Sequence, residues 1–358
     1  MVTISLCFVG KNEEKNIAKF IENVKNLADE LIFVDTGSND KTAEIAKNSG
    51  CKVLSFEQKE GWIEEARNLS LKNATCDWIL VLDIDERISR KDFEKIKELT
   101  KSQEYAGYYL IQRQYGNQIG IANWVSSNGD DYEESKIAAG WYENPILRLF
   151  INDKRIKYEG KPHDLVDKSV KQIGKTCLTD IPIHHFGEIN RDLQGKAERN
   201  IKFLKEQLEN PENIEKFYTL YQIGCEFLGK GDIVEAKKHL NSSAELNPDY
   251  PPTKRNLAAI FIKEKNFKEA EKILLKVVEK EQSSWDYNNL GIIYSETGEL
   301  NRAVKKFERA IELNEKSADA NFNMGLVYLK MNKQKKAQPF FEKAIELNPE
   351  YKKRVKFD

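Results

Sequence analysis

Short apolar segments alternate with amphipathic segments over the first 80 residues. Four apolar segments predict strands, at residues 2–9, 31–34, 52–56 and 77–82. The segments between them carry apolar residues at helical spacing, at residues 17–27, 42–48 and 62–73. Strand–helix alternation of this kind is typical of a parallel sheet covered by helices.

The fourth apolar segment ends abruptly in acids, at Asp83, Asp85 and Glu86. Open α/β sheets bind ligands at the carboxyl ends of their strands, where these acids should lie. Asp83 and Asp85 would share a face if the strand continued through both. Carboxylates suit Mg²⁺ or Mn²⁺ held together with substrate phosphates. The alternative is an acidic, solvated turn, and Glu86 is expected to cap the next segment.

Two upstream features favour a ligand site over a solvated turn. Asp35 closes the second strand, with Ser38 just after it, and Arg67 lies on the helix that precedes the fourth strand. Because the carboxyl ends of parallel strands share one edge, Asp35 and Asp83 should lie along it together. Taken singly, Asp35 and Ser38 could cap a helix and Arg67 could be a surface residue.

Four motifs carry a family resemblance, and they occur in order at characteristic separations. They are Lys-Asn-Glu-Glu at 11–14, Val-Asp-Thr-Gly-Ser-Asn-Asp-Lys-Thr at 34–42, Glu-Ala-Arg-Asn at 65–68 and Asp-Trp-Ile-Leu-Val-Leu-Asp-Ile-Asp-Glu at 77–86. Residues 1–190 thereby resemble family 2 glycosyltransferases with the GT-A fold. The resemblance implies a Rossmann-like domain and inverting sugar transfer from a nucleotide-diphosphate sugar. UDP-sugars are the commonest donors of that family.

The same resemblance implies roles for individual residues. Asp35, Ser38 and Arg67 would bind the nucleotide, Asp83 would reach the ribose, sugar or metal, and Asp85 would bind the metal, Mn²⁺ or Mg²⁺. A cation at this place would stabilise the charge that develops on the departing diphosphate. An acceptor that attacks the opposite face of the sugar needs a general base.

The middle of the chain should complete the site. Residues 106–112 and 141–150 predict strands, and the polar segment between them, 115–140, is either a lid or acceptor loop or an ordinary surface excursion. His163-Asp164 and His184-His185 follow. Asp164 is the leading candidate for the base and Glu143 a weaker one, and His185 is a candidate ligand for the metal or diphosphate. The alternative is that His163 and His185 are structural.

The second half of the chain repeats. Small residues recur at Gly224, Ala258, Gly291 and Gly325, which are 34, 33 and 34 residues apart. This period resembles tetratricopeptide repeats (TPR), whose helix pairs bury their apolar faces on their neighbours. The resemblance covers four units, of which the second is degenerate. In the tetratricopeptide-linked branch of family 2, a Glu stands where this chain has Asp164, which keeps the carboxylate but shortens its reach.

We therefore expect an α/β fold followed by an all-α fold, with three segments. These are a GT-A glycosyltransferase domain at 1–189, a connector helix at 190–212 and an α-helical TPR solenoid at 213–358.

Charge, cysteine content and the length of the apolar stretches limit the partners and the location that we expect. Lys and Arg total 57 against 58 Asp and Glu, a net charge of −1 that gives no reason to expect nucleic acid as a partner. Five scattered cysteines favour reduced thiols and a cytoplasmic location. The apolar N-terminus lacks a preceding basic region, and no stretch approaches about 18 apolar residues, so we expect neither a signal peptide nor a membrane span.

The expected function is metal-dependent glycosyl transfer to a peptide or protein recruited by the groove of the repeats. Family 2 enzymes fused to such repeats include bacteriocin peptide glycosyltransferases, but the resemblance does not assign that substrate to this chain. A cell-surface glycan acceptor and an inactive scaffold are the alternatives. The repeats could instead stabilise the first domain or form a homodimer.

Overall fold

The computed structural model describes residues 2–57, 63–116, 124–159, 165–187, 193–210, 213 and 215–354. The chain forms two compact units. The first comprises Met1–Tyr115, Tyr132–Glu134 and Glu143–Arg191, and the second comprises Gly116–Asp131, Ser135–Tyr142 and Asp192–Asp358. The boundaries expected at residues 189 and 212 stay predictions.

The second unit includes two pieces of chain, 116–131 and 135–142, that the sequence alone assigned to the first domain. A long-range hydrogen bond shows why one piece belongs there: the Asn128 side-chain amide donates to the backbone oxygen of Glu346, at 2.9 Å.

A mixed β-sheet forms the centre of the first unit. In the described part of the chain the strands are β1 (Ile4–Gly10), β2 (Glu30–Asp35), β3 (Lys52–Ser55), β4 (Trp78–Val81), β5 (Glu86–Arg87), β6 (Gly107–Gly116), β7 (Val125–Ser126), β8 (Gly140–Ile151) and β9 (Thr176–His185). Of these, β7 and the first three residues of β8 belong to the second unit. The strand order is β3-β2-β1-β4-β8-β6-β9-β5, and β7 pairs with the start of β8. The first four strands in this order are parallel, as predicted. Beyond them, β8 is antiparallel to β4, β9 is parallel to β6, and β5 is antiparallel to β9.

Helices cover both faces of this sheet. They are α1 (Ile17–Val24), α2 (Thr42–Asn48), α3 (Glu64–Asn73), α4 (Phe93–Thr100) and α5 (Asp167–Ile173). Alternate residues of β1 face two separate cores, as the period of a strand requires. Leu6 and Phe8 pack with Phe20 of α1, whereas Cys7 packs with Leu71 of α3.

The second unit is helical after residue 192. Its helices are α6 (Leu193–Glu209), α7 (Lys216–Lys230), α8 (Ile233–Leu246), α9 (Pro251–Lys263), α10 (Phe267–Val278), α11 (Ser284–Glu296), α12 (Leu300–Leu313), α13 (Ala318–Lys330) and α14 (Gln334–Leu347). Helices α7–α14 form four successive pairs, which confirms the predicted repeats. Within the ranges that the structure describes, every helix is too short or too polar to cross a bilayer.

The repeating small residues lie where the paired helices approach most closely. A Cβ atom at Gly291 in α11 would stand 2.5 Å from the ring of Phe307 in α12. At Gly325 it would stand 2.7 Å from the ring of Phe341, and at Gly224 it would stand 2.6 Å from Leu240. The period seen in the sequence is therefore a steric requirement of helix pairing.

We expect Gly291→Ala to lower the free energy of unfolding by about 1–3 kcal/mol, because the new methyl group overpacks Phe307. The matched control is Gly229→Ala near the end of α7, where an added Cβ meets no atom within 4 Å. That change should raise stability by about 0.5 kcal/mol, because alanine loses less entropy than glycine on folding. Chemical denaturation measures both; equal stability of Gly291→Ala and Gly229→Ala would contradict the steric account.

Candidate functional site

The predicted site residues lie at the carboxyl edge of the parallel strands. Asp35 is the last residue of β2 and is in register with Gly10, the last residue of β1. On the other side of β1, the chain leaves β4 at Val81 and reaches Asp83 two residues later. This edge is where open α/β sheets bind their ligands.

A set of local hydrogen bonds fixes Asp35, whose side chain is buried. Its carboxylate accepts hydrogen bonds from the Ser38 hydroxyl and, at 3.2 Å, from the Ser38 backbone N–H. The Ser38 oxygen in turn accepts from the backbone N–H of Asn12, at 2.9 Å, and the Asn12 side chain accepts from Asn39. Gly37 has φ of +95°, a conformation that glycine adopts without strain. The loops after β1 and β2 are thus held together around Asp35.

Two guanidinium groups bind opposite oxygens of Asp83. Arg67 donates to Oδ1 at 2.8 Å and Arg148 donates to Oδ2 at 2.8 Å. The same Arg148 nitrogen also donates to Oε1 of Glu86, at 3.0 Å. Glu86 Oε2 accepts from the backbone N–H of Asp83, at 2.8 Å. Arg148 and Glu86 are almost fully buried, so these charges depend on each other.

The electrostatics of this cluster follow from burial and pairing. Burial raises the pKa of a carboxyl group, but the nearby Arg67 and Arg148 guanidiniums outweigh it and hold the pKa of Asp83 well below its usual range. For Glu86 burial dominates, and its pKa is raised despite Arg148. Asp83 is therefore a permanently ionised acceptor at neutral pH.

Asp85 faces His185, which lies at the end of β9. Asp85 Oδ2 is 3.4 Å from His185 Nε2, and the other ring nitrogen, Nδ1, is hydrogen-bonded to the side-chain oxygen of Gln114. A Cβ atom at Gly187 would lie 2.6 Å from Asp85 Oδ2 and 2.7 Å from His185 Nε2. The absence of a side chain at Gly187 thus allows both atoms to pack directly against the backbone there.

This donor pair fits a divalent cation. One carboxylate oxygen and one imidazole nitrogen are ligands that Mn²⁺ accepts, and both pack against Gly187, where any side chain would clash with them. In the described residues, no three His, Cys, Asp or Glu side chains converge on one point. Substrate oxygens and water would have to complete the coordination, as is common for Mg²⁺ and Mn²⁺ in phosphate chemistry.

The two candidate bases are placed differently. Asp164, together with His163, lies outside the described residues, so its role stays a prediction. Glu143 is half-exposed on β8, with its carboxylate 3.8 Å from the Arg113 guanidinium. Arg113 precedes Gln114 in β6 and is in register with His184 of β9, so it faces the side of the sheet opposite to His185. The structure therefore groups Glu143 with Arg113 and separates it from the Asp85–His185 pair.

His184 belongs to that opposite face. It is fully buried, its Nδ1 is 2.6 Å from the Tyr115 hydroxyl, and its ring packs against Tyr132. Burial, reinforced by the charges of Arg113 and Lys91, lowers the pKa of His184 to about 3. His184 is a neutral packing residue, whereas its neighbour His185 faces the carboxylates.

Sequence reasoning missed Arg148, Gln112 and Gln114, and it was wrong about Glu86. Glu86 was expected to cap the next segment, but its side chain is fully buried and bonded to Arg148 and Gln112. A signal was present in Arg148, a single charge inside the apolar segment 146–150. A charge inside a buried strand needs a buried partner, and the sequence holds several candidates for that partner.

We expect Arg148→Met to lower the free energy of unfolding by about 3–5 kcal/mol, because it leaves the buried carboxyl group of Glu86 without its counter-charge. The matched control is Arg155→Met, which removes an exposed arginine paired with Asp153 in the same unit. The midpoint temperature of thermal unfolding should fall strongly for Arg148→Met and stay unchanged for Arg155→Met. A midpoint for Arg148→Met equal to that of the wild-type protein would show that the buried cluster does not stabilise the fold.

Family models match both halves of the chain. Residues 5–159 match the model of glycosyl transferase family 2. Residues 227–290, 291–332 and 318–351 match three models of tetratricopeptide repeats.

Similar proteins are described either as TPR repeat-containing proteins or as glycosyltransferases. A TPR repeat-containing protein of Synechococcus elongatus is 28% identical over 267 residues, which cover 72% of this chain and 60% of that protein. An uncharacterized glycosyltransferase of Rickettsia typhi is 32% identical over 206 residues, which cover 55% of this chain and 65% of that protein. The glycosyltransferase SunS of Bacillus subtilis is 24% identical over 251 residues, which cover 68% of this chain and 55% of that protein. The chain spans less than two thirds of the length of these relatives.

Among solved structures, MamA from Desulfovibrio magneticus is similar to part of the chain. The similarity covers 43% of this chain and 86% of the MamA chain at 24% identity, and the TM-score of 0.40 supports no statement about function. The family models and the observed folds agree with each other: the N-terminal part of this chain is a glycosyl transferase family 2 domain, and it is followed by tetratricopeptide repeats.

Proposed function

We propose that the first unit transfers a sugar, with inversion, from a nucleotide-diphosphate sugar to an acceptor, using Mn²⁺ or Mg²⁺. The observation that carries the proposal is the arrangement at the carboxyl edge of the sheet. There, Asp35 lies at the end of β2, Asp83 and Asp85 follow β4, and His185 lies at the end of β9. Asp35 is bonded to Ser38, Asp83 to Arg67, and Asp85 faces His185. An inactive scaffold would have no need to keep these groups together.

Asp35 and Ser38 would bind the nucleoside of the donor. The hydrogen bonds that fix Asp35 come from one side, through Ser38, and a carboxylate has capacity for further donors. Base N–H and ribose hydroxyl groups are such donors. A UDP-sugar is the donor we propose, on the strength of the family resemblance alone.

Asp83 would accept a hydrogen bond from a ribose or sugar hydroxyl. Its charge is already balanced by Arg67 and Arg148, one on each oxygen. An additional cation would compete with both guanidiniums, so this geometry favours the hydroxyl over the predicted role as a metal ligand. Arg67, whose guanidinium also packs 5.3 Å from the ring centre of Tyr158, would act by holding Asp83.

Asp85 and His185 would hold the cation. When bound, the cation stabilises the negative charge that appears on the diphosphate as the glycosidic bond breaks. Asp85 would supply an anionic oxygen and His185 Nε2 a nitrogen. That nitrogen would have to give up a proton to the solvent on binding the cation, because burial alone would lower the pKa of His185, but the Asp85 carboxylate outweighs burial and raises it. The acceptor would attack the opposite face of the sugar after losing its proton to Asp164, with Glu143 as the alternative base.

The repeats would recruit a peptide or protein acceptor. Solenoids of helix pairs present extended surfaces that suit such partners, and the repeats contribute no catalytic constellation among the residues described. A homodimer formed through the repeats, and a cytoplasmic location, stay predictions.

A thermal-shift panel of nucleotide sugars, with and without Mn²⁺, tests the donor and cation sites. A ligand at about 100 times its Kd adds about 2.7 kcal/mol to the free energy of unfolding, so a fitting donor should raise the midpoint only with Mn²⁺ present. Gly187→Ala should abolish this dependence, because its Cβ would clash with Asp85 Oδ2 and His185 Nε2 and displace them. Gly229→Ala is the control and should behave as the wild-type protein does.

An absence of any donor-dependent shift in the wild-type protein would favour the scaffold alternative. A full Mn²⁺ response in Gly187→Ala would instead leave the donor site intact and exclude the Asp85–His185 pair as the place of the cation.

Asp164→Asn should lower turnover by at least about 10²-fold while donor binding stays unchanged, because only the proton acceptor is lost. Glu143→Gln serves as the comparison and should retain most activity. Donor hydrolysis and calorimetry measure the two quantities. Near-normal turnover in Asp164→Asn together with loss of turnover in Glu143→Gln would transfer the role of base to Glu143.

A further inference from the structure

The side chain of Asn68 in α3 holds the backbone of a residue far along the chain, Tyr158. Asn68 Nδ2 donates to the backbone oxygen of Tyr158, at 3.0 Å, and the backbone N–H of Tyr158 donates to Asn68 Oδ1, at 2.8 Å. Tyr158 is buried and lies after β8, outside the strands that the structure describes. Its backbone groups therefore have no strand partner, and the Asn68 amide satisfies both of them.

Ser169 in α5 binds the backbone of the preceding residue, Lys157, in the same way. Its hydroxyl oxygen accepts from the backbone N–H of Lys157, at 3.1 Å, and lies 2.8 Å from the backbone oxygen of Lys157. Satisfying the backbone of this segment is thus a task that Asn68 and Ser169 share. They differ in the side chain that each of them orients, because the side chain of Lys157 is exposed and that of Tyr158 is buried beside Arg67.

The ring of Tyr158 packs against the Arg67 guanidinium, whose central carbon is 5.3 Å from the ring centre. The same guanidinium donates to Asp83 Oδ1, at 2.8 Å. A guanidinium that lies over an aromatic face is attracted by the ring, so the ring limits the directions in which Arg67 can point. Because Arg67 and Asn68 are consecutive residues, α3 carries both the arginine and the side chain that fixes its aromatic partner.

We propose that Asn68 and Tyr158 are positioning residues of the donor site. Asn68 fixes the backbone of Tyr158, the Tyr158 ring fixes the Arg67 guanidinium, and Arg67 holds Asp83 in the orientation that accepts a hydroxyl group of the donor. The contact between Asp83 and the donor rests on the proposed function, whereas the fixing of Arg67 does not depend on it.

The fixing of Arg67 is tested by ¹⁵N NMR of the full chain with labelled arginine, in which the Arg67 signals are assigned by their loss in Arg67→Lys. The wild-type protein should give separate signals for the two Nη atoms of Arg67, because Asp83 and the Tyr158 ring prevent rotation of the guanidinium. Asn68→Ala frees the backbone of Tyr158, so the two signals should merge. Ser169→Ala is the matched control, since it removes an equivalent pair of backbone contacts and should keep the signals separate.

Two variants of Tyr158 test the ring itself. Tyr158→Leu removes the ring and should merge the two Arg67 signals, whereas Tyr158→Phe keeps the ring and should keep them separate. Separate signals in both Asn68→Ala and Tyr158→Leu, or merged signals in the wild-type protein or in Ser169→Ala, would overturn the proposal. Because Asn68→Ala and Tyr158→Leu remove different contacts, either of them tests it if the other does not fold.

Binding of UDP-glucose in the presence of Mn²⁺, measured by calorimetry, tests the consequence for the donor. Asn68→Ala should weaken binding by about tenfold, which corresponds to the loss of one hydrogen bond, and Ser169→Ala should leave the affinity unchanged. Equal affinity in Asn68→Ala and the wild-type protein would overturn the role of Asn68 in donor binding. No binding of UDP-glucose by the wild-type protein would contradict the proposed donor, and the NMR result would still decide whether Asn68 fixes Arg67.

Discussion

A buried arginine between two carboxylates is the interaction on which the first unit depends. Arg148 lies on β8, far along the chain from Asp83 and Glu86, and it bonds to both within 3.0 Å. Removing charges from water is costly, and the cost is recovered only when each charge has a close partner. This requirement fixes β8 against β4 and holds the short segment after β4 in one conformation.

That segment carries three acids, and the structure gives each a different environment. Asp83 is ionised and bound by two arginines, Asp85 faces His185, and Glu86 is fully buried and bonded to Arg148. Asp83 and Asp85 would bind ligands in the function we propose. Glu86 lies next to both, since its carboxylate accepts from the backbone N–H of Asp83, and hydrogen bonds through Gln112 and Gln114 connect it to His185.

The repeats follow a simpler rule. In three of the four helix pairs a glycine lies where the two helices meet, and a large partner side chain, Leu240, Phe307 or Phe341, packs directly against it. The contacts are local in sequence, and each unit buries its apolar face on the next. The first unit instead depends on contacts between strands that are distant in sequence.

This difference explains what the sequence by itself determined. Strand–helix alternation, the acidic edge at Asp35 and Asp83, and the repeat period were all predicted from the sequence, because each depends on neighbours within one or two elements. Only the tertiary structure decided the order of β8, β6, β9 and β5 in the sheet, the burial of Glu86 and the partners of Arg148. A sequence shows that a buried charge or amide needs a partner, but strand pairing alone brings that partner within hydrogen-bond distance.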